Sequence, residues 1–329
     1  MARATFLWAC RLDVATRKPG NVSIASPGHG MQASMFVAGA EAAAPALFAA
    51  GARIGARIEA AMKASLAVAG CNTNLGIVLL AAPLARAFEN SGRTAKAAGD
   101  LDAAGRTDGA FGHADGSRGP RALRSVLQRV LRDLDVDDAA AAFRAIAATN
   151  PGGLGRVAAH DVAAPATITL REAMVLAAGR DRIAHQYASG YGDVFGRGLD
   201  AWSHGLGTAH RLGLGRAAAA RHAMLGVYLE LLARFPDSHI ERRQGAEVAH
   251  TVMAQTLVWR DAWIQGRLRE DDEGLARWDA ALKRSGTNPG TTADLCVATA
   301  LVAAWLDPSI RHRKSPKTSD PPDTTGHGS

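Results

Sequence analysis

Apolar residues recur three and four apart along most of this chain. Ile54, Ile58, Met62 and Leu66 follow an Ala-rich stretch from Ala42 to Ala50, with Arg53, Arg57, Glu59 and Lys63 between them. This is the stripe of an amphipathic helix, ending near Gly70. A second apolar run, Ile77 to Ala87, begins just beyond Asn72 and Thr73, either of which is placed as its N-cap. Leu123, Val126, Leu127, Val130, Leu131 and Leu134 keep the same spacing, with arginines on the opposite face. A further helix is expected from about Asp137 to Ala148, stopped by Asn150-Pro151-Gly152-Gly153. Others are predicted over 170–187, 217–235, 242–264, 274–283 and 292–306, the last apolar enough to be central to a core.

Two stretches break the pattern. Residues 90–120 collect Gly, Asp, Arg and Ala and read as a flexible Gly-rich insertion. Residues 307–329 are rich in Arg, Lys, Ser, Thr and Pro and read as a disordered tail, being too polar to order themselves by burial. The expected architecture is therefore all-α, a single globular multi-helix domain over 1–306. Composition agrees: 47% of the 329 residues are apolar but only 5% are aromatic, and Ala supplies much of the rest, which favours helix over sheet.

No apolar run is long enough to span a bilayer, and Arg11 and Asp13 interrupt the short N-terminal one. Three widely spaced cysteines without a C-x-x-C pair read as reduced thiols. The expected location is cytoplasmic. The net charge of +7 is scattered and without a nucleic-acid recognition motif, so no nucleic-acid partner is expected; a polyanionic small molecule or a solvated Arg-rich surface accounts for it.

Between the helices lie four polar islands: Lys18-Pro19-Gly20-Asn21-Val22, Asn72-Thr73-Asn74-Leu75-Gly76, Asp237-Ser238-His239-Ile240-Glu241-Arg242 and Asn288-Pro289-Gly290-Thr291-Thr292-Ala293-Asp294. Such islands at helix ends suit a phosphorylated ligand, because the first helical turn offers free N–H groups and partial positive charge. Gly290 lets a ligand approach the backbone, Thr292 offers a hydroxyl or a cap, and Asp294 either stabilises a helix N-terminus or binds a divalent cation. Asp237 and His239 in one turn read as Mg²⁺ ligands, as proton-transfer partners or as a capped turn. Arg242 is placed to grip a phosphate. Glu59 and Lys63, one turn apart, are a surface ion pair or, if their face lines a cleft, supply a general base. No Walker, zincin or nucleophile-elbow motif is present.

In order along the chain, K-P-G-N-V (18–22), E-x-x-M (59–62), N-T-N-L-G (72–76), N-P-G-G-L-G (150–155), H-D-V (160–162), D-S-H-I (237–240) and N-P-G-T-T-A-D-L (288–295) resemble the triphosphoribosyl-dephospho-CoA synthase family. The resemblance runs from about Leu12 to Leu306. It implies an all-α, Mg²⁺-dependent transferase in which the ribose 2′-hydroxyl of 3′-dephospho-CoA attacks C1′ of ATP and adenine leaves. The product, 2′-(5″-triphosphoribosyl)-3′-dephospho-CoA, would become the prosthetic group of an acyl carrier subunit.

The chemistry of that reaction assigns Asp237 and Asp294 to metal, and Glu59, Asp237 and His239 to catalysis. Lys18, Asn21, Asn72, Thr73, Asn74, Arg242, Asn288, Gly290 and Thr292 go to substrate. Two departures stand out. Asn74-Leu75 replaces the His-Lys common in the family, and Arg182 to Tyr191 replaces its R-G-E-A segment. The N-T-N-L-G form resembles a branch found in methanogens and in methylotrophs that use tetrahydromethanopterin. It leaves open (phospho)ribosyl transfer in one-carbon cofactor synthesis, or a catalytically silent nucleotide-binding protein.

Overall fold

The computed structural model describes residues 1–104, 119–149, 162 and 164–311, and among them there are fourteen α-helices and no β-strand. The first seven are α1 (Ala2–Ala15), α2 (Ala33–Leu47), α3 (Ile54–Ala69), α4 (Leu75–Ala104), α5 (Pro120–Arg132), α6 (Val136–Thr149) and α7 (Leu170–Ala177). The rest are α8 (Arg182–Ser189), α9 (Leu199–Arg211), α10 (Arg216–Leu232), α11 (Ser238–Gln244), α12 (Ala246–Ile264), α13 (Glu273–Arg284) and α14 (Gly290–Leu306). A π-helical turn, Val194–Gly198, leads into α9, and a 3₁₀ turn, Pro308–Ile310, follows α14.

The chain buries α14 and the second half of α10 on nearly every side, as their lack of a polar face requires. Leu295, Val297, Leu301 and Val302 are each at most 2% exposed. Burying a side chain of this kind stabilises the fold by about 1.5–3 kcal/mol. Helices α1, α4, α9, α10 and α11 pack around α14. The polar first turn of α14 is thereby held where α1, α4 and α11 meet.

Four expectations needed correction. The segment 170–187 is two helices, because Asp181 turns the chain and caps α8 through the Ala184 N–H at 3.0 Å. The segment 242–264 is also two, separated by Gly245 at φ +93°. Residues 90–104, expected in the flexible insertion, continue α4, since their Ala, Arg and Lys outweigh Gly92 and Gly99 in helix preference; the remaining glycines to Gly116 lie outside the described residues. Order also runs past 306. Ile310 packs on the core, and Arg216 donates to the Ser309 carbonyl at 3.0 Å; residues 312–329 lie outside the described residues.

Pro83 interrupts α4 and frees the carbonyl four residues earlier. The buried Tyr187 hydroxyl donates to that Leu79 carbonyl at 2.6 Å, and Tyr191 donates to Leu80 at 2.9 Å. The segment that departs from the family pattern thus braces α4 next to Pro83, the helix whose N-terminus forms part of the candidate site.

Candidate active site

The islands meet through close backbone approach. Gly20 has φ +81°, and a Cβ there would lie 2.8 Å from Pro289 Cδ and 2.9 Å from the Thr287 carbonyl, so only glycine lets the first island dock on the fourth. Gly20 N–H donates to Asp279 Oδ1 at 2.8 Å, and Asn21 Nδ2 donates to Asn288 Oδ1 at 2.9 Å. The second island meets the fourth at Gly76, where a Cβ would fall 2.0 Å from Asp294 Oδ2. Asp237 joins the third to the fourth. Its Oδ1 accepts from the backbone of His239 and Ile240 (2.9 and 3.1 Å), and its Oδ2 accepts from Thr292 N–H and Oγ1 (both 2.7 Å).

Around this junction opens a cleft of about 910 Å³, at the large end for a small-molecule site. Its polar end carries Asn21, Asn72, Thr73, His239, Asn288 and Gly290 with the charged Asp13, Asp181, Arg180, Arg242, Arg243 and Asp294. Its other end is apolar, walled by Leu79 of α4, Phe143 and Ile146 of α6, Leu170 and Met174 of α7, and Ile183 of α8. The first turns of α4 and α14 both open into it, through Leu75 and Gly76 and through Gly290 and Thr291. A polyanion with an apolar body fits such a division.

The charges are unevenly compensated. Lys18 Nζ lies 3.0 Å from Asp13 Oδ1. Burial raises the Asp13 carboxyl above the usual range, and Lys18 opposes the rise. Asp294 has no hydrogen-bond or ion-pair partner among the described residues. Burial, then the negative charges of Asp13, Asp237 and Asp181, push its carboxyl well above the usual range; Arg242 opposes them. His239 is pushed down to about 4 by burial and by Arg242, Arg243 and His29, so its imidazole is neutral at pH 7. Arg242 forms an ion pair with Asp181 across the turn before α8.

Five expected site residues lie off the cleft wall. Lys18 is fully buried and donates to the carbonyls of Asp13 (2.6 Å) and Thr16 (3.4 Å). The Pro19-Gly20 turn folds it back as a cap on the C-terminus of α1, so it touches no ligand. Asn74 points inward, with Nδ2 on the Phe36 carbonyl at 3.2 Å. Asp237 and Thr292 spend their polar atoms on each other and on α11, so Asp237 keeps no lone pair for a metal or a proton. Glu59 forms a bidentate pair with Arg144 on the outer face of α3 and α6 (2.6 and 2.7 Å), which holds its carboxyl below the usual range and makes it a poor base. The stretches 150–155 and 160–161 lie outside the described residues. No group of three His, Cys, Asp or Glu among the described residues is arranged to hold a metal ion, and Asp294 is in no such cage.

Several charged cleft residues escaped the sequence reading, among them Asp13, Arg180, Asp181 and Arg243. Asp13 had a signal. It is a lone carboxylate on the buried face of α1, beside Ala9, Cys10, Leu12 and Val14. A charge there needs a partner, and Lys18 is the next cation but one along the chain. Arg180 and Asp181 had none, because they lay inside what read as one helix.

A family model, CitG, described as ATP:dephospho-CoA triphosphoribosyl transferase, matches residues 2–312. Among solved structures, a crystal structure from Archaeoglobus fulgidus, described provisionally as a triphosphoribosyl-dephospho-CoA synthase, is similar in fold. Its TM-score is 0.55 at 21% identity, over 82% of this chain and 99% of the other. Among curated protein sequences no relative matches.

Proposed function

The chain belongs to the ATP:dephospho-CoA triphosphoribosyl transferase family, and on that premise we propose that its cleft binds magnesium-bound ATP at the polar end with dephospho-CoA beside it. The observation that carries this reading is the convergence of all four islands on one cleft holding both cations and carboxylates. Arg180, Arg242, Arg243 and the first turns of α4 and α14 supply the donors a triphosphate needs. Asn21, Asn72, Thr73 and Asn288 offer amides and a hydroxyl to the sugars. The apolar wall from α6, α7 and α8 receives the uncharged part of a substrate, adenine or the pantetheine arm. Mg²⁺ arrives as the counterion of the triphosphate. This suits an ion that keeps its waters and binds phosphates with at most one or two carboxylates rather than a protein cage.

Displacement at C1′ passes through an oxocarbenium-like state, which the negative field of Asp13 and Asp181 stabilises. With ATP as donor, the reaction belongs to the cytoplasm. Nothing in the family match or the fold favours a one-carbon acceptor or a silent binding protein. The test is purified protein with ATP, Mg²⁺ and dephospho-CoA, followed by chromatography for free adenine. Adenine released in step with a triphosphoribosylated acceptor is expected; ATP binding without adenine sinks the proposal.

A further inference from the structure

Two carboxylates face the cleft from different helices, Asp13 near the end of α1 and Asp294 in the second turn of α14. Their surroundings differ in one decisive respect. Asp13 has a buried ammonium 3.0 Å from Oδ1, and that ammonium is itself fixed by two carbonyls. Asp294 lies against the Cα of Gly76, with no donor or cation bonded to it among the described residues. Two neighbouring carboxylates do not both ionise readily; the one with the cation keeps the charge and the other keeps the proton.

We propose that Asp13 is the general base for the attacking hydroxyl and Asp294 the general acid for the departing base, with Lys18 the positioning residue that sets their order. This rests on the transferase reading above. The acceptor oxygen forms its bond to C1′ while the C1′–N9 bond breaks and its electron pair moves onto adenine. The hydroxyl proton passes to Asp13, and Asp294 delivers its own proton to an adenine ring nitrogen. Transfer of the captured proton from Asp13 back to Asp294 resets the pair, so the net movement is one proton from acceptor to adenine. The charged and titratable groups around the pair among the described residues are Lys18, Asp181, Asp237, Arg242, the Tyr228 hydroxyl and the thiols of Cys10 and Cys296. Among the described residues only Lys18 is bonded to either carboxylate.

The variants are Asp294→Asn and Asp13→Asn, compared on two donors: ATP and a 7-methylated purine nucleoside triphosphate, whose base departs neutral without taking a proton. Asp294→Asn is expected to lower kcat about 10²–10⁴-fold with ATP and far less with the methylated donor. Asp13→Asn is expected to lower both alike and to remove the acidic limb of the pH profile. NMR of protein labelled at the aspartate carboxyl carbons gives a readout independent of turnover: one carboxyl stays protonated at neutral pH, and its signal disappears in Asp294→Asn. Equal losses on both donors, a loss restored by added Mg²⁺, or the absence of that protonated signal overturns the assignment while wild-type turnover stands. A wild type that releases no adenine overturns the transferase reading, and this chemistry with it.

Discussion

The joint between α11 and α14 and the cleft wall just beyond it each place an aspartate at the start of α14, yet the two residues have opposite fates. Asp237 accepts four hydrogen bonds from the backbone and side chain of its neighbours and is not part of the cleft wall. Asp294, two residues past the threonine that Asp237 binds, accepts none among the described residues and lines the cleft. A buried carboxylate with its lone pairs filled is a structural part, whose removal leaves N–H groups stranded. One with empty lone pairs beside a cavity is available to a ligand. The same residue type at the same helix end is therefore joint in one case and reagent in the other.

The contrast can be broken by substitution. Asp237→Ala should cost about 3 kcal/mol, since it removes a cap from α11 and leaves the Thr292 donors unmet; urea unfolding measures this, and a loss under 1 kcal/mol would contradict the joint. Gly76→Ala pushes a methyl into the Asp294 carboxylate and should cost about 2 kcal/mol through overpacking. Its midpoint should recover when Asp294→Ala is added, which a double-mutant cycle tests.

A smaller effect is a slope. The Asp294 carboxyl is raised in the native state, so its contribution to stability is full below the unfolded value, about 4, and is lost as pH rises through the native value. Asp294→Asn should flatten that decline in denaturation midpoints, whereas Asp237→Asn should lower stability at every pH. Smallest of all is Glu59→Gln. Its carboxyl is lowered by Arg144, so its contribution appears above the unfolded value and fades as pH falls through the native one. The pair is largely exposed and is worth about 0.5 kcal/mol. Adenine release should be unchanged; a large drop would return Glu59 to the catalytic machinery.

The helices that could be read were those whose burial is one-sided, such as α3 and α5, because a stripe at three-four spacing needs no knowledge of the neighbour. Helix ends were harder. Asp181 ends one element and starts the next by capping α8, but in sequence it is one polar residue inside a periodic run. Among residues of the cleft wall, Asn21, Asn72, Arg242, Asn288 and Asp294 were legible as members of polar islands next to helix starts. Lys18 and Glu59 were misread for a common reason. A charged residue at a helix end or on a helix face has the same sequence appearance whether it faces a ligand, a carbonyl or another ion. Asp13 was overlooked because it lies inside α1, outside the island whose Lys18 looked like the functional residue.

Composition and periodicity alone determined that this chain is helical and that its polar chemistry gathers at the ends of apolar helices, since both follow from local propensity and from the need to bury one face. Which polar groups reach the cleft was decided only by tertiary packing. Asp294 fits into the cleft wall because Gly76 carries no Cβ to collide with its carboxylate, and Asp237 is consumed because Thr292 sits against it. The number of hydrogen-bond donors around a carboxylate depends on the neighbours that folding brings to it: two of Asp237's four donors belong to Thr292, 55 residues away in sequence, and the residue against which Asp294 lies, Gly76, is on a different helix.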